Sequence, residues 1–449
     1  MMDTLAQTDR EPADAASFFG GELGPGPAWL QSLREQARTR LGEIGFPTTE
    51  QEEWRFTNMA PLRQWSLHAA EPGARQVGPA DIEPFRLLED GFCLVFVDGR
   101  FRADLSTLPG RDAGFQAGSL RYNWDHDDAR YMQQHLARYV KDETNFFTAL
   151  NTVSFEDGAF VSVPAEAVIE QPVQLLYLAA SERPGAAVHP RNLIVAHHGS
   201  SVNVIESYAS LTDAPHLTNT VTALALGPEA RVEHCKLQNE NERAFHIAAV
   251  QAVQSRNSHW LSHSIATGAR LARNQIQTRL GAEGAEAILN GLYLARGEQL
   301  IDHHTVVDHA QPHCESHEFY YGILAGRAHG VFNGKIFVRP DAQKTNAKQT
   351  NRNLVLSEHA LINTKPQLEI FADDVKCTHG ATVGQLNEEA LFYLRSRGIG
   401  ASLARRMLVR AFANDAVERI TLAPVRAHLE QLLTGWFEGL DISLSSHDR

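Results

Sequence analysis

The sequence predicts a mainly β protein built on a parallel β-helix, with α-helical regions on either side of it. Three observations lead there. From about Gln171, short apolar or alternating runs recur, among them "VQLLYLAA", "NLIVAHH", "SVNVIESY", "VTALAL", "RVEHCKL", "AEAILNGLYLA", "HGVFNGKIFV" and "NLVLSEHALI". The turns between them ("HHGSS", "LGPEA", "LGAEG", "ARGEQ") are too short for the helical crossovers of an ordinary parallel sheet. That leaves a sandwich of hairpins or a solenoid that coils strand after strand. The dipeptides of tight hairpin turns are rare here, and small-residue turns followed by apolar-x-apolar strands favour the solenoid.

The elements follow in order. Residues 1–26 are polar and rich in Gly and Pro, a loose tail. Residues 27–165 form a helical and mixed region. In "PAWLQSLREQARTRLGEIGF", Trp29, Leu30, Leu33, Ala37, Leu41 and Ile44 recur at helical spacing. Thr49 and Glu52 then stand in capping-box spacing at the start of a second, short helix. Short strands begin near "GFCLVFVDGRF", and residues 166–384 carry the β-helix. Residues 385–449 return to helix. Asn387 is placed to cap, Glu388 and Glu389 occupy the first turn, and Gly398 ends it. In the next helix Leu403, Met407, Leu408, Ala411 and Phe412 are expected on the packed face. A last helix runs from about Val425 to Phe437, after Pro424.

The chain has 449 residues, a formal net charge of -13, 43% hydrophobic and 21% charged residues. That acidity argues against nucleic acid and gives no attraction to anionic membranes. The opening "MMDTLAQTDREPADAASFFGG" has acids where a secretion signal needs a basic and then an apolar stretch. No apolar run approaches the ~18 residues of a membrane span. A cytoplasmic location is expected. Cys93, Cys235, Cys314 and Cys377 lack CxxC spacing, so neither a disulfide framework nor a paired-cysteine zinc site is expected.

Four stretches carry candidate chemistry. "DHHTVVDHAQPHCESHEF" gathers His303, His304, His309, His313, Cys314 and His317, the set a stand-alone metal-binding solenoid would use. In strand territory, however, residues four apart are about 13 Å apart. Asp373 and Asp374 raise a carbohydrate-active β-helix enzyme, yet strand neighbours point to opposite faces and cannot converge on one bond. "GRAHGVFNGKIFV" lacks the Ser or Thr after Gly334-Lys335 that a phosphate loop requires. In "DDVKCTHGATVG", Cys377 and His379 share one face of a strand about 7 Å apart. Both can approach one soft ion or cluster, and two ligands leave a tetrahedral site half filled, so a partner would supply the rest.

The stretch "AQKTNAKQTNRNLVLSEHALINTKPQLEIFADDVKCTHGATVGQLNEEALFYLRSRGI", Ala342 to Ile399, closely resembles the SufB/SufD family of iron–sulfur cluster assembly proteins. Weaker similarity reaches back through "ARNQIQTRLGAEGAEAILNGLYLARGEQLIDHHTVVDH" to "EEWRFTNM", leaving out the tail and residues near 106 to 165. "CTHGATVG" is similar to the SufD branch. SufB has His-Glu where this chain has His379-Gly380, and an upstream cluster-building cysteine without a counterpart here. The resemblance implies a right-handed parallel β-helix between helical domains, and a non-catalytic scaffold. It also implies pairing with SufB through the β-helix and docking of the SufC ATPase on the C-terminal helices. The iron–sulfur cluster would form transiently at the interface with SufB, none being held permanently by the isolated chain. His379 corresponds to the contributing histidine.

Site expectations follow. His379 is the cluster contact and Cys377 its support, because Lys376, the one basic neighbour, points the other way and leaves the thiol without activation. The edge from Leu354 to Ile370, with Leu354 and Leu368, is expected to meet SufB or a second copy of this chain. Leu391, Phe392, Tyr393, Arg395 and Arg397 are expected on the SufC-docking surface. Removing residues 386–449 is expected to leave the β-helix folded.

Overall fold

From Ser201–Ser210 to Lys376–Gly384, successive strands alternate between two sheets, and each pairs in parallel with the strand two further on. Leu289 thus pairs with Glu318, Glu318 with Gln349, and Gln349 with His379. One coil therefore contains two strands, one in each sheet. This is the predicted parallel solenoid, seen in a computed structural model that describes residues 26–71, 73, 75–124, 129–137 and 144–438. Apart from Gly26, the expected tail lies outside those residues. The sheets begin before residue 166. Phe92–Val97 pairs with Val173–Ala179, and Ala159–Val163 pairs with Arg191–Ala196.

Strands buried on both faces lose their polar alternation, which explains the near-continuous apolar runs. Residues such as Val204, Leu289, Tyr320 and Ile336 fill the interior between the sheets. The outer face of one sheet lies under the N-terminal helices, where Phe147 and Leu150 meet Leu217, Phe245 and Leu271. The outer face of the other lies under the C-terminal helices, where Val409, Leu429 and Trp436 join Leu237, Leu292 and Ile323. Removing residues 386–449 would uncover that apolar face, a liability for association of the truncated chain.

Large rings fit the interior by exchange with glycine. Gly291 pairs with Tyr320, and Tyr293 with Gly322. A Cβ on Gly291 would stand 2.1 Å from the Tyr320 ring, and one on Gly322 2.4 Å from Tyr293. Gly291→Val should therefore destabilise the fold by about 1–3 kcal/mol or more through overpacking. Thermal unfolding of the full chain checks this, and an unchanged melting temperature would refute it.

The terminal helices hold two further corrections. Ala28–Ile44 buries Leu30, Leu33, Ala37 and Leu41 as expected. The Thr49–Glu52 capping box does not form: a three-residue turn, Glu52–Trp54, follows Gln51 without a side-chain cap. Its acids are engaged by the solenoid instead, Glu52 by Lys365 and Glu53 by His304. Asn387 does cap its helix, accepting from Ala390 N at 3.0 Å, and Gly398 takes φ +84° just past its end. In Ala401–Val417 the packed face is Ala404, Val409, Ala413, Ala416 and Val417, joined from the predicted stripe by the partly buried Phe412. Small alanines let this helix lie close to the sheet, and Leu403 and Met407 are left exposed.

Candidate functional site

The last coil is the solenoid's open end. Among the described residues, Leu361–Ile370 pairs only with His329–Val338, and Lys376–Gly384 only with Asn346–Val355. Cys377 is in register with Ala347 and His379 with Gln349. Ala347 and Gln349 are buried inward-facing residues, so Cys377 and His379 face the same interior side. Cys377 is half-buried against the interior core, and burial pushes its thiol proton affinity up. His379 is exposed because no further coil covers it. Beneath it lie Gln349 and then Glu318, both buried. Lys376 and Thr378 alternate to the outer face. The thiol is thus protonated and partly packed, and the imidazole is the more exposed of the two groups.

The other predicted residues separate into distinct places. Asp374 pairs with Lys344, and its neighbour Asp373 is exposed. The His303–His317 set does not converge. His303 is interior, 3.1 Å from Ser264 Oγ, and burial pushes its imidazole down to about 3. His309 is interior too, 2.8 Å from Ser316 Oγ, and is pushed down to about 4. His304 lies on the outer face between Asp302 and Glu53. His313 sits in a turn at φ 57°, and His317 stacks on Phe319. The Cys314 thiol donates to Ala282 O at 3.3 Å. A metal cluster from this set is therefore not formed.

Among the partner residues, Leu354 is buried under the C-terminal helices and Leu391 is buried in its own domain, so both serve internal packing. Leu368, in register with buried Ile336, packs inward and half-buried on the interior core. Phe392 is 74% exposed and Tyr393 58%, with Arg397 over the Tyr393 ring and Arg395 exposed beside them.

Two buried constellations escaped the sequence reading. Glu233, Cys235 and His263 bring ligand atoms within 4.8 Å of one another beneath the C-terminal helices. Their geometry explains itself without an ion. Thr421 donates N–H and Oγ–H to the two Glu233 oxygens, and His263 Nε2 is 3.3 Å from Oε1, so the group pins a helix connection onto the sheet. Inside the solenoid, Glu206 accepts from Tyr208 at 2.5 Å, Thr222 at 2.8 Å and His234 at 2.9 Å. Burial would raise its carboxyl, but the hydrogen bond and charge of His234, with Lys236, hold it down at about 2. Lys236 contacts His246 at 2.7 Å and donates to Asn274 at 2.9 Å, and burial pushes it down to about 8. Inward polar positions of this kind emerge only once the coil register is known.

Fold and site together define a helix-clad parallel β-solenoid that presents a thiol and an imidazole on one face of its open end. The SUF system FeS cluster assembly, SufBD core domain model matches residues 177–412, and the SufBD protein N-terminal region model matches residues 26–175. The chain belongs to the SufBD family of iron–sulfur cluster assembly proteins. It is 34% identical over 417 residues to an iron–sulfur cluster assembly SufBD family protein of Synechocystis, covering 90% of each chain. It is 32% identical to the iron–sulfur cluster assembly protein SufD of Escherichia coli, over 88% of this chain and 89% of that one. The Bacillus subtilis SufD is 28% identical over 91% and 94%. The N-terminal match includes residues 106–165, which the resemblance seen in the sequence had left out. Among the described residues, no helix is long and apolar enough to cross a membrane.

Proposed function

We propose that this chain is a non-catalytic cytoplasmic scaffold that fills the SufD role. It pairs with SufB at the open end and docks a SufC ATPase on its C-terminal helices. An iron–sulfur cluster, the cargo, is built at the SufB interface with His379 as a contact. The supporting observation is the last coil itself: two strand edges without a further neighbour among the described residues, and an exposed imidazole on the inward-facing side. Unpaired edges invite strands from another chain. A neutral imidazole binds iron, and a thiolate from the partner would complete the set. Cys377, partly packed and protonated, supports the strand.

The reconstituted complex with His379→Ala should assemble normally yet lose most of its iron and acid-labile sulfide, whereas Cys377→Ala should keep more. Wild-type cluster content in the His379→Ala complex would sink the reading. For the ATPase contact, Phe392 and Tyr393 are the exposed aromatic pair, and aromatic anchors dominate interface energetics. Phe392→Ala with Tyr393→Ala should weaken SufC capture by tenfold or more, on the order of 2 kcal/mol per hot spot. Unchanged affinity by titration calorimetry would move the docking surface elsewhere.

A further inference from the structure

A cavity of about 400 Å³ opens at the turns that lead from one sheet into the other, and Trp65, Pro215, Arg243, Arg270 and Arg296 line it. These turns belong to three successive coils. Arg270 N–H donates to Ala244 O at 2.8 Å, and Leu300 N–H donates to Arg270 O at 2.9 Å. Neighbouring coils are about 4.8 Å apart, so three guanidinium groups are brought to one small volume, where like charges repel unless an anion joins them. Arg296 is matched, its Nε donating to Glu242 at 3.0 Å. Arg243 and Arg270 have no carboxylate partner among the described residues. Three arginines against Glu242 and Glu298 leave the lining at net +1, on a chain of formal net charge -13. Gln299, 5% exposed, holds this wall in shape: its amide donates to Ala269 O at 2.8 Å and accepts from Arg296 N at 2.9 Å. The main-chain N–H groups of Gly297 and Glu298, in the exposed turn of the same wall, have no protein acceptor among the described residues.

We propose that this cavity binds a phosphate monoester of a sugar, the chemistry that free sugar phosphates and nucleoside monophosphates share. A guanidinium offers a fixed fork of N–H donors that fits two phosphate oxygens at once. Arg243 and Arg270 take the phosphate, whose charge of about -2 near neutral pH equals that of the two unmatched cations. Trp65 and Pro215 give the organic part an apolar wall. The indole is steadied by Phe245, whose ring centre is 4.7 Å away in an edge-on contact. Glu298, exposed in the same lining, accepts from sugar hydroxyls, as an acidic residue does for ribose in dinucleotide sites. A bare ion would leave the wall and most of the volume unused, whereas about 400 Å³ suits a small organic molecule. A polynucleotide is disfavoured by the acidity of the chain as a whole. None of these residues belongs to the last coil, so the proposal is independent of the His379 reading.

The test uses the full-length protein at low salt, where charge pairing is least screened. Calorimetric titration with ribose 5-phosphate and with adenosine monophosphate should give a dissociation constant below about 1 mM for at least one of them. Inorganic phosphate, which makes no contact with the wall, should bind about tenfold more weakly or worse. Arg243→Gln combined with Arg270→Gln should weaken ester binding by about tenfold or more, the worth of hydrogen bonds to charged groups. Both side chains are exposed, so the melting temperature of that variant should stay as it is. In the wild type, the Trp65 indole N–H resonance, assigned with Trp65→Phe, should shift as the ester is added. That readout stands even where a variant fails to fold. Equal affinity for the two esters would assign the site to sugar phosphates, and a much tighter nucleotide would assign it to nucleotides. Three results would overturn the proposal: neither ester binds, inorganic phosphate binds as tightly as the esters (an adventitious ion only), or the double variant keeps the wild-type affinity.

Discussion

Asp302→Ala is expected to destabilise the protein by about 3–5 kcal/mol, the range for breaking a buried ion pair by removing one partner. Asp302 is fully buried on the outer face of the solenoid and pairs with Arg273, itself 2% exposed. Thr57 donates to the same carboxylate, His304 Nε2 lies 3.1 Å from its other oxygen, and Trp54 stacks over the Arg273 guanidinium at 3.9 Å. The Arg273 charge, with His304 and the Thr57 hydrogen bond, outweighs burial and holds Asp302 well below the usual carboxylate range. Alanine would strand the guanidinium without a counter-charge and release the Glu52–Thr57 turn from the sheet. Denaturant unfolding measures the loss, and limited proteolysis should show earlier cleavage before residue 60. A loss below about 1 kcal/mol would mean that the pair is already hydrated. Asp302→Leu combined with Arg273→Met should recover much of the stability, because a buried pair is often replaceable by apolar groups but not divisible.

Glu318→Gln should act in the opposite direction, and only above a certain pH. The native state binds the Glu318 proton more tightly than the unfolded chain, about 7 against the ordinary 4.5. Stability from this group is fully present below 4.5 and falls as pH rises to 7, where the native carboxyl must ionise without a cation. The accumulated penalty at pH 8 is about 3 kcal/mol. The glutamine variant should therefore match the wild type near pH 4.5 and exceed it by roughly that amount at pH 8. Comparing the two proteins at each pH cancels the titration of every other group. Equal stabilities at pH 8 would show that the native carboxylate is better solvated than its burial implies.

Much of the fold is legible in the sequence, because its signals are local. Strand runs, the short turns, the Asn387 cap and the Gly398 stop each depend on residues within a few positions of one another. The shared face of Cys377 and His379 is legible for the same reason, since it follows from strand periodicity alone. The Glu318–Gln349–His379 row is not: its members are 31 and 30 positions apart, and only the coil register aligns them. Turn lengths vary along the solenoid, so that register has no fixed period to read. The buried face of Ala401–Val417 was missed because its contact is made by alanines. Hydrophobic periodicity weights Leu403 and Met407 more heavily, although close approach to the sheet favours the smaller side chains. The Thr49–Glu52 signal failed because a distant partner, Lys365, engages the Glu52 carboxylate that a local rule assigns to the cap.

The one-sided pairing of the last coil also fixes where the molecule opens most easily. In a stack that is stabilised mainly between neighbours, an interior coil is held on both sides and a terminal coil on one. The free energy for local opening is accordingly lowest at Leu361–Ile370 and Lys376–Gly384, and it rises coil by coil toward the middle. His379 thus belongs to the segment whose amides should exchange with solvent soonest among the strands of the solenoid. A strand laid along that edge would turn the last coil into an interior one and slow its exchange. Ordering of the histidine would then become part of the free energy of association instead of a property of the isolated chain.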